Sequence, residues 1–261
     1  MPFLFKNVDE SDYIREQIMP DLETGFRESG FELLGWPEVG FIHFFSTQRI
    51  TSVDDIRKLR IWLWQGDPLG EAFFNAANID PIPLSIIDVY TQLSAKHGSI
   101  DTVYTSTFGA IALQWYSKLK YATRIPLTNA IGGLVVSNRF YNRLPADLQQ
   151  LLKTSGKAMS DEIRLNAREE NRKSIDILEK NGIEFMFGWD EVNMEELLAI
   201  RDSAASYLEQ TDYIPAEMFA RTEKLLADYR MQSADQLNDA TDTARATSEQ
   251  PVQKPAKDIS D

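Results

Sequence analysis

Two tryptophans separated by one residue, Trp62 and Trp64, open the segment where this sequence concentrates its chemistry-bearing side chains. Gln65, Gly66 and Asp67 follow directly, and Tyr104, Thr105, Ser106 and Trp115 come later. Successive side chains of a strand alternate between faces, so Trp62 and Trp64 share one face and can make one aromatic wall. A small-molecule pocket needs mostly apolar walls and a few aimed polar groups. The candidate ligand-binding set is therefore Trp62, Trp64, Gln65, Asp67, Tyr104, Thr105, Ser106 and Trp115. Several of these have an ordinary structural alternative. Asp67 before Pro68 suits a helix cap, Thr105 suits a plain loop position, and Ile111 and Trp115 have helical spacing that equally suits packing. If Trp62 lines a cleft, Trp62→Ala should remove affinity at little cost in stability.

Other chemistries find less support. The chain has no cysteine, so no disulfide, thiolate nucleophile or thiolate metal site is available. His43 and His97 are its two histidines, and their separation gives neither zinc spacing nor a histidine-based triad. His43 alternates among aromatic neighbours as a sheet residue would, and His97 stands beside Gly98 in a turn. Asp54-Asp55, Glu169-Glu170 and Glu195-Glu196 fall on exposed helical stretches, where nothing moves a carboxyl pKa toward neutrality. Gly132-Gly133 lacks the spacing of a phosphate loop and suits a strand bend. No catalytic residue, metal site or cofactor is expected.

The elements that must position the aromatic set are legible around it. Strand-like runs at Arg60–Trp64, Asp80–Leu84 and Ile100–Thr105 alternate with helical stretches at Leu69–Ala77 and Ile86–Lys96. This is the pattern of a parallel α/β unit, whose ligands bind beyond the carboxyl ends of the strands. Upstream, Asp9–Met19 and Leu22–Ser29 read as helices, Phe31–Leu34 and Phe41–Phe45 as strands, and Ser52 as the cap of a short acidic helix. Downstream come a helix at Phe108–Trp115, strands at Lys120–Ile125 and Ile131–Ser137, and a long helix from Pro145 to Asn181. That helix runs roughly 50 Å at 1.5 Å per residue, with Leu148, Leu152, Met159, Ile163 and Ala167 forming its apolar face. A strand at Ile183–Phe187 and helices near Glu191–Gln210 and Pro215–Arg230 complete the pattern. Residues 238–261 lack aromatics and are expected to be a disordered tail.

Forty acidic residues against 27 basic ones give a net charge of −13, with 43% of residues apolar. Nucleic-acid binding, which needs clustered basic residues, is disfavoured, as is an anionic membrane surface. No apolar run approaches the ~20 residues that span a bilayer. Met1-Pro2-Phe3 does not read as a signal peptide.

Several of these segments, taken in order, resemble solute-binding proteins of tripartite ATP-independent periplasmic (TRAP) transporters. They are MPFLFKN at the start, EVGFIHFFSTQRITSVDDIRKLRIW, then NIDPIPLSIIDVYTQL with GSIDTVY, and LVVSNRFYNRLPADLQQLL. The resemblance implies a periplasmic-binding-protein type fold: two α/β lobes with a long lobe-spanning helix. Lobe I would take residues 1–50 and 118–165, and lobe II residues 51–117 and 166–237. It also implies an extracytoplasmic, non-enzymatic protein that captures a small organic solute and delivers it to TRAP membrane permease subunits. Family members carry a signal peptide and a further βαβ portion before the segment that MPFLFKN resembles. The first lobe is therefore expected to be incomplete here, and upstream codons to encode that portion. The family places an arginine for a substrate carboxylate where this sequence has Trp62, and many members present asparagine where it has Thr105. Arg60 shares the Trp62 face but begins the strand. An apolar or aromatic solute is thus expected over a simple dicarboxylate. A ligand-sensing module without a transporter and an α/β enzyme are the alternatives.

Overall fold

A computed structural model of the chain describes residues 1–248. Helix α1 (Val8–Glu28) starts at Asn7, whose side chain accepts the Glu10 N–H at 3.0 Å. The sequence pattern divides this stretch near Pro20, but the helix runs through it. Pro20 and Glu16 both face solvent, so the carbonyl that proline leaves without a donor can take water. Strands β1 (Phe31–Gly35) and β2 (Glu38–Ser46) follow, then the short α2 (Val53–Arg57), capped by Ser52 as expected.

The α/β alternation comes next: β3 (Trp62–Trp64), α3 (Pro68–Ala76), β4 (Ile82–Leu84), α4 (Ile86–Ser94), β5 (Thr102–Ser106) and α5 (Thr107–Ala112). β3 pairs parallel with β4, and a parallel bridge from Ile61 to Thr102 continues the order to β5. The expected helix to Trp115 stops early. Gln114 takes a left-handed conformation (φ 58°), and Trp115 begins a separate 3-10 turn.

β6 (Tyr121–Thr123), β7 (Thr128–Ile131) and β8 (Leu134–Ser137) come before α6 (Asn138–Tyr141). The single strand expected over Ile131–Ser137 is two, broken at Gly132-Gly133 where the Gly132 N–H donates to the Pro37 carbonyl at 2.9 Å. The central strand is β2. One edge pairs antiparallel with β5, while the other pairs with β7 through Glu38–Ile42 and with β6 through Phe45–Ser46. β9 (Glu184–Met186) extends β6 in parallel, and β1 pairs separately with β8.

Helix α7 (Ala146–Lys180) matches the long helix of the sequence pattern, but its contact face does not. Leu148, Met159 and Ile163 are exposed, whereas Gly156, Ser160, Ser174 and Leu178 are buried. The helix lies against β1 and β2 at a separation that large side chains would prevent. A Cβ on Gly156 would stand 2.7 Å from the Leu34 Cβ. Charge completes that contact: Arg168 donates to both Asp12 oxygens at 2.7 Å and to Glu38 Oε2 at 2.5 Å. The Glu38 side chain is fully buried. Burial alone would raise the Asp12 carboxyl, yet the Arg168 hydrogen bond and the charges of Arg15, Arg168 and Arg164 hold it below its usual range.

α8 (Met194–Gln210) packs on α3. Residues Met1–Ala216 form one compact unit and residues from Glu217 a second. Helix α9 (Ala216–Ser248) extends past the expected stop near Arg230 into the stretch expected to lack structure. No Gly or Pro interrupts it before Pro251, and side-chain burial is not needed for a backbone ladder. The rest of the expected tail, 249–261, lies outside the described residues.

Candidate ligand-binding site

β3 carries the aromatic wall. Its core side is fixed by Ile61 and Leu63, both buried, while Trp62 and Trp64 fall on the opposite face as alternation requires. Trp62 is only 3% exposed. Its indole N–H donates to the Leu84 carbonyl at 2.9 Å. Its ring stacks on Tyr104 at 5.3 Å and meets Trp115 edge-on at 5.2 Å. Trp64 is 54% exposed. The two indoles thus differ: Trp62 is both core and wall, and Trp64 stands at the rim. Trp62 is therefore no cleft residue that could be truncated cheaply.

After β3 the chain turns at Gly66, whose φ of +81° is a conformation side-chain-bearing residues avoid. Gln65 is left in solvent by this turn and does not line the cavity described below. Asp67 then caps α3, accepting the Gly70 N–H on Oδ1 at 3.0 Å. Its other oxygen accepts the Tyr104 hydroxyl at 3.0 Å, and that hydroxyl accepts the Trp64 N–H at 3.1 Å. Burial, with Asp67 adding to it, raises the Tyr104 phenol well above its usual range and keeps it a donor. Ser106 caps α5 by accepting the Gly109 N–H.

These groups surround a cavity of about 550 Å³. Seven of the eight candidate residues line it: Trp62, Trp64, Asp67, Tyr104, Thr105, Ser106 and Trp115. Two further sources were not apparent from the sequence. Phe73 and Phe74 of α3 supply aromatic floor, and their adjacency after a helix cap was the available signal. Thr128, Asn129, Ala130 and Ile131 come from β7, placed by its pairing with β2, which no local pattern reveals. Asn129 Nδ2 donates to Ser11 Oγ at 2.8 Å, while its Oδ1 is buried without a hydrogen-bond partner.

The cavity's charged side chains are of one sign. Among the described residues, its lining includes no Lys, Arg or His side chain, and Asp67 is its one charged side chain. Arg60 is held away by Asp101 (3.1 Å) and the Gly98 carbonyl (2.6 Å). His43 Nδ1 lies 2.9 Å from the Thr123 carbonyl, as the sheet-histidine reading expects. Loss of hydration lowers its pKa to about 4, against opposition from the Thr123 and Ile125 backbone.

A second cavity, about 440 Å³, has the opposite character. It lies among α1, β1 and α7, and its basic side chains are Arg15, Arg27, Lys153, Lys157 and Arg164. Acids meet them: Lys153 with Glu32 at 2.5 Å, Lys157 with Asp161 at 2.9 Å, and Arg15 with Asp12 at 2.8 Å. Among the described residues, no group of acidic or histidine side chains could hold a metal ion.

The profile of bacterial extracellular solute-binding proteins, family 7 (DctP), matches residues 1–210. A solute-binding protein of Sulfitobacter sp. (strain NAS-14.1) is 22% identical over 83% of this chain and 66% of its own length. The 2,3-diketo-L-gulonate-binding periplasmic protein YiaO of Escherichia coli (strain K12) is 23% identical over 77% of this chain and 62% of its own. The chain thus spans less than two thirds of the length of both curated relatives. Among solved structures, a TRAP periplasmic solute-binding protein of Ralstonia eutropha H16 with bound (S)-2-acetolactate superposes with a TM-score of 0.73. It is 18% identical, covering 87% of this chain and 73% of that one. The fold is shared with that protein, and the chain belongs to the DctP family of bacterial extracellular solute-binding proteins.

Proposed function

We propose that this chain serves as the extracytoplasmic solute-binding component of a TRAP-type transporter, holding a small apolar or ring-bearing organic solute in the aromatic cavity. Family membership supports the transport role. The observation that carries the solute class is a cavity walled by indoles, phenyl rings and a phenol, with no basic side chain in its lining. Burying about 150 Å² of an aromatic ring contributes about 4 kcal/mol. Burying a carboxylate with no cationic partner costs several kcal/mol and cancels that gain. Of the proteins named above, the Escherichia coli one is named for binding 2,3-diketo-L-gulonate and the Ralstonia eutropha one holds (S)-2-acetolactate, both organic acids. This chain has Trp62 where the family resemblance places an arginine for such a group.

In the same reading, residues 1–50 and 118–165 belong to one lobe and residues 51–117 and 166–237 to the other. Closure over the solute excludes water, and TRAP permease subunits in the membrane receive the closed form. The protein works in the periplasm and leaves its solute chemically unchanged. A thermal-denaturation screen against a metabolite library tests this. The expected outcome is stabilisation by a ring-bearing or apolar compound recovered intact. Chemical conversion of the stabilising compound would favour an enzyme, and stabilisation by small dicarboxylates alone would refute the solute class.

A further inference from the structure

We infer that Asp67 is a positioning residue that tunes what the aromatic cavity offers its solute, by holding the Tyr104 hydroxyl proton. This deepens the proposed function and rests on its assignment of the aromatic cavity as the solute site. Both oxygens of Asp67 are engaged: one accepts the Gly70 N–H at 3.0 Å and the other the Tyr104 hydroxyl at 3.0 Å. The same hydroxyl accepts the Trp64 N–H at 3.1 Å. One carboxylate thus ties together β3, β5 and the start of α3, and each of these elements contributes aromatic lining.

A phenol has one proton to donate. With that proton on Asp67, Tyr104 presents its ring to the cavity and keeps no donor for a solute. The same bond fixes where the ring stands. It stacks on Trp62 at 5.3 Å with an interplanar angle of 25°, and meets Phe74 at 5.9 Å. The Trp62 indole N–H is committed in the same way, to the Leu84 carbonyl at 2.9 Å. The stacked pair therefore lines the cavity as ring surface, and its two polar hydrogens serve the protein's own frame.

The test titrates the full chain by calorimetry with indole, a ring with a donor, and acetophenone, a ring with an acceptor. In Asp67→Asn the side-chain oxygen keeps the Gly70 N–H, since asparagine caps helices as well as aspartate does. Its amide hydrogens then meet the Tyr104 oxygen, and the phenol proton is released toward the cavity. The ratio of acetophenone to indole affinity should rise about fivefold, equivalent to about 1 kcal/mol for one new hydrogen bond. Asp67→Ser, another good cap with no second oxygen, should shift the ratio the same way. Asp67→Asn combined with Tyr104→Phe should lose the gain. A purely structural role for Asp67 would weaken both probes alike, so an unchanged ratio in the two single variants overturns the inference. A gain that survives loss of the hydroxyl overturns it too. Failure of both probes to bind the unmodified chain overturns the proposed site itself.

Discussion

The two cavities put the same question to the chain in opposite chemistry. The one among α1, β1 and α7 is rich in both signs of charge, and these pair with one another. Its buried groups without hydrogen-bond partners are donors, Arg15 Nη1 and Trp36 Nε1. The aromatic cavity has one acidic side chain and, among the described residues, no basic side chain in its lining, and the orphan group there, Asn129 Oδ1, is an acceptor. The difference separates structure from recognition. Charges that neutralise one another hold a helix to a sheet, while an aromatic wall with little charge leaves apolar surface open to a solute.

The largest effect should come from breaking the charged side of this comparison. Arg168→Ala leaves Asp12 and the fully buried Glu38 without their main partner. Removing one member of a buried ion cluster costs about 3–5 kcal/mol. Urea denaturation should show that loss, with indole affinity kept in the folded fraction. A loss under 1 kcal/mol would mean that solvent already screens the cluster.

Trp62→Ala sharpens the aromatic side. Because Trp62 is buried against Tyr104, Trp115 and the Leu84 carbonyl, its truncation should cost about 3–5 kcal/mol and also abolish ring binding. Trp64→Ala, at the exposed rim, should weaken binding with a stability change under about 0.5 kcal/mol. Equal destabilisation by the two variants would contradict their different burial.

Acidification gives a smaller, graded effect. His43 has a folded-state pKa of about 4, below its unfolded value of about 6.5. Between those values the unfolded chain takes up a proton that the folded one refuses. Stability should therefore fall as pH drops through that window, by up to about 1.4 kcal/mol per unit. His43→Gln should flatten this part of the curve. The Asp12 contribution, from a lowered pKa, is present above its unfolded value and lost only at more acid pH. An unchanged slope in the variant would remove His43 as the cause.

Tyr104→Phe should have a mild effect on stability. It deletes the hydroxyl between the Trp64 N–H and Asp67, at about 1 kcal/mol of stability. Chemical denaturation of the two proteins side by side reads it, and a cost above about 3 kcal/mol would mean that the hydroxyl organises the whole rim.

Local signals made most of this fold readable. The caps Ser52 and Asp67, the α/β alternation and the long helix each follow from neighbours in sequence, whereas the Ser106 cap was not read there. What stayed hidden is non-local. Leu148, Met159 and Ile163 of the apolar stripe read on α7 are exposed, because the face against β1 is made of Gly156 and Ser160 and the face against Asp12 and Glu38 of Arg168. Small and charged contact residues do not register as a buried face. Within the site, seven of eight candidate residues gather around the cavity because they follow two adjacent strands. Asn129 escaped notice because only the register of β7 on β2 brings it there. Trp62 was placed on the right face, yet its burial depends on Tyr104 and Trp115 closing over it from distant segments.

The central claim is that this cavity accepts rings and rejects acids. Calorimetric titration of the unmodified chain with indole and, separately, with succinate tests it most directly. The account predicts saturable binding of indole and none of succinate at millimolar concentration. Micromolar succinate binding with no response to indole would contradict it.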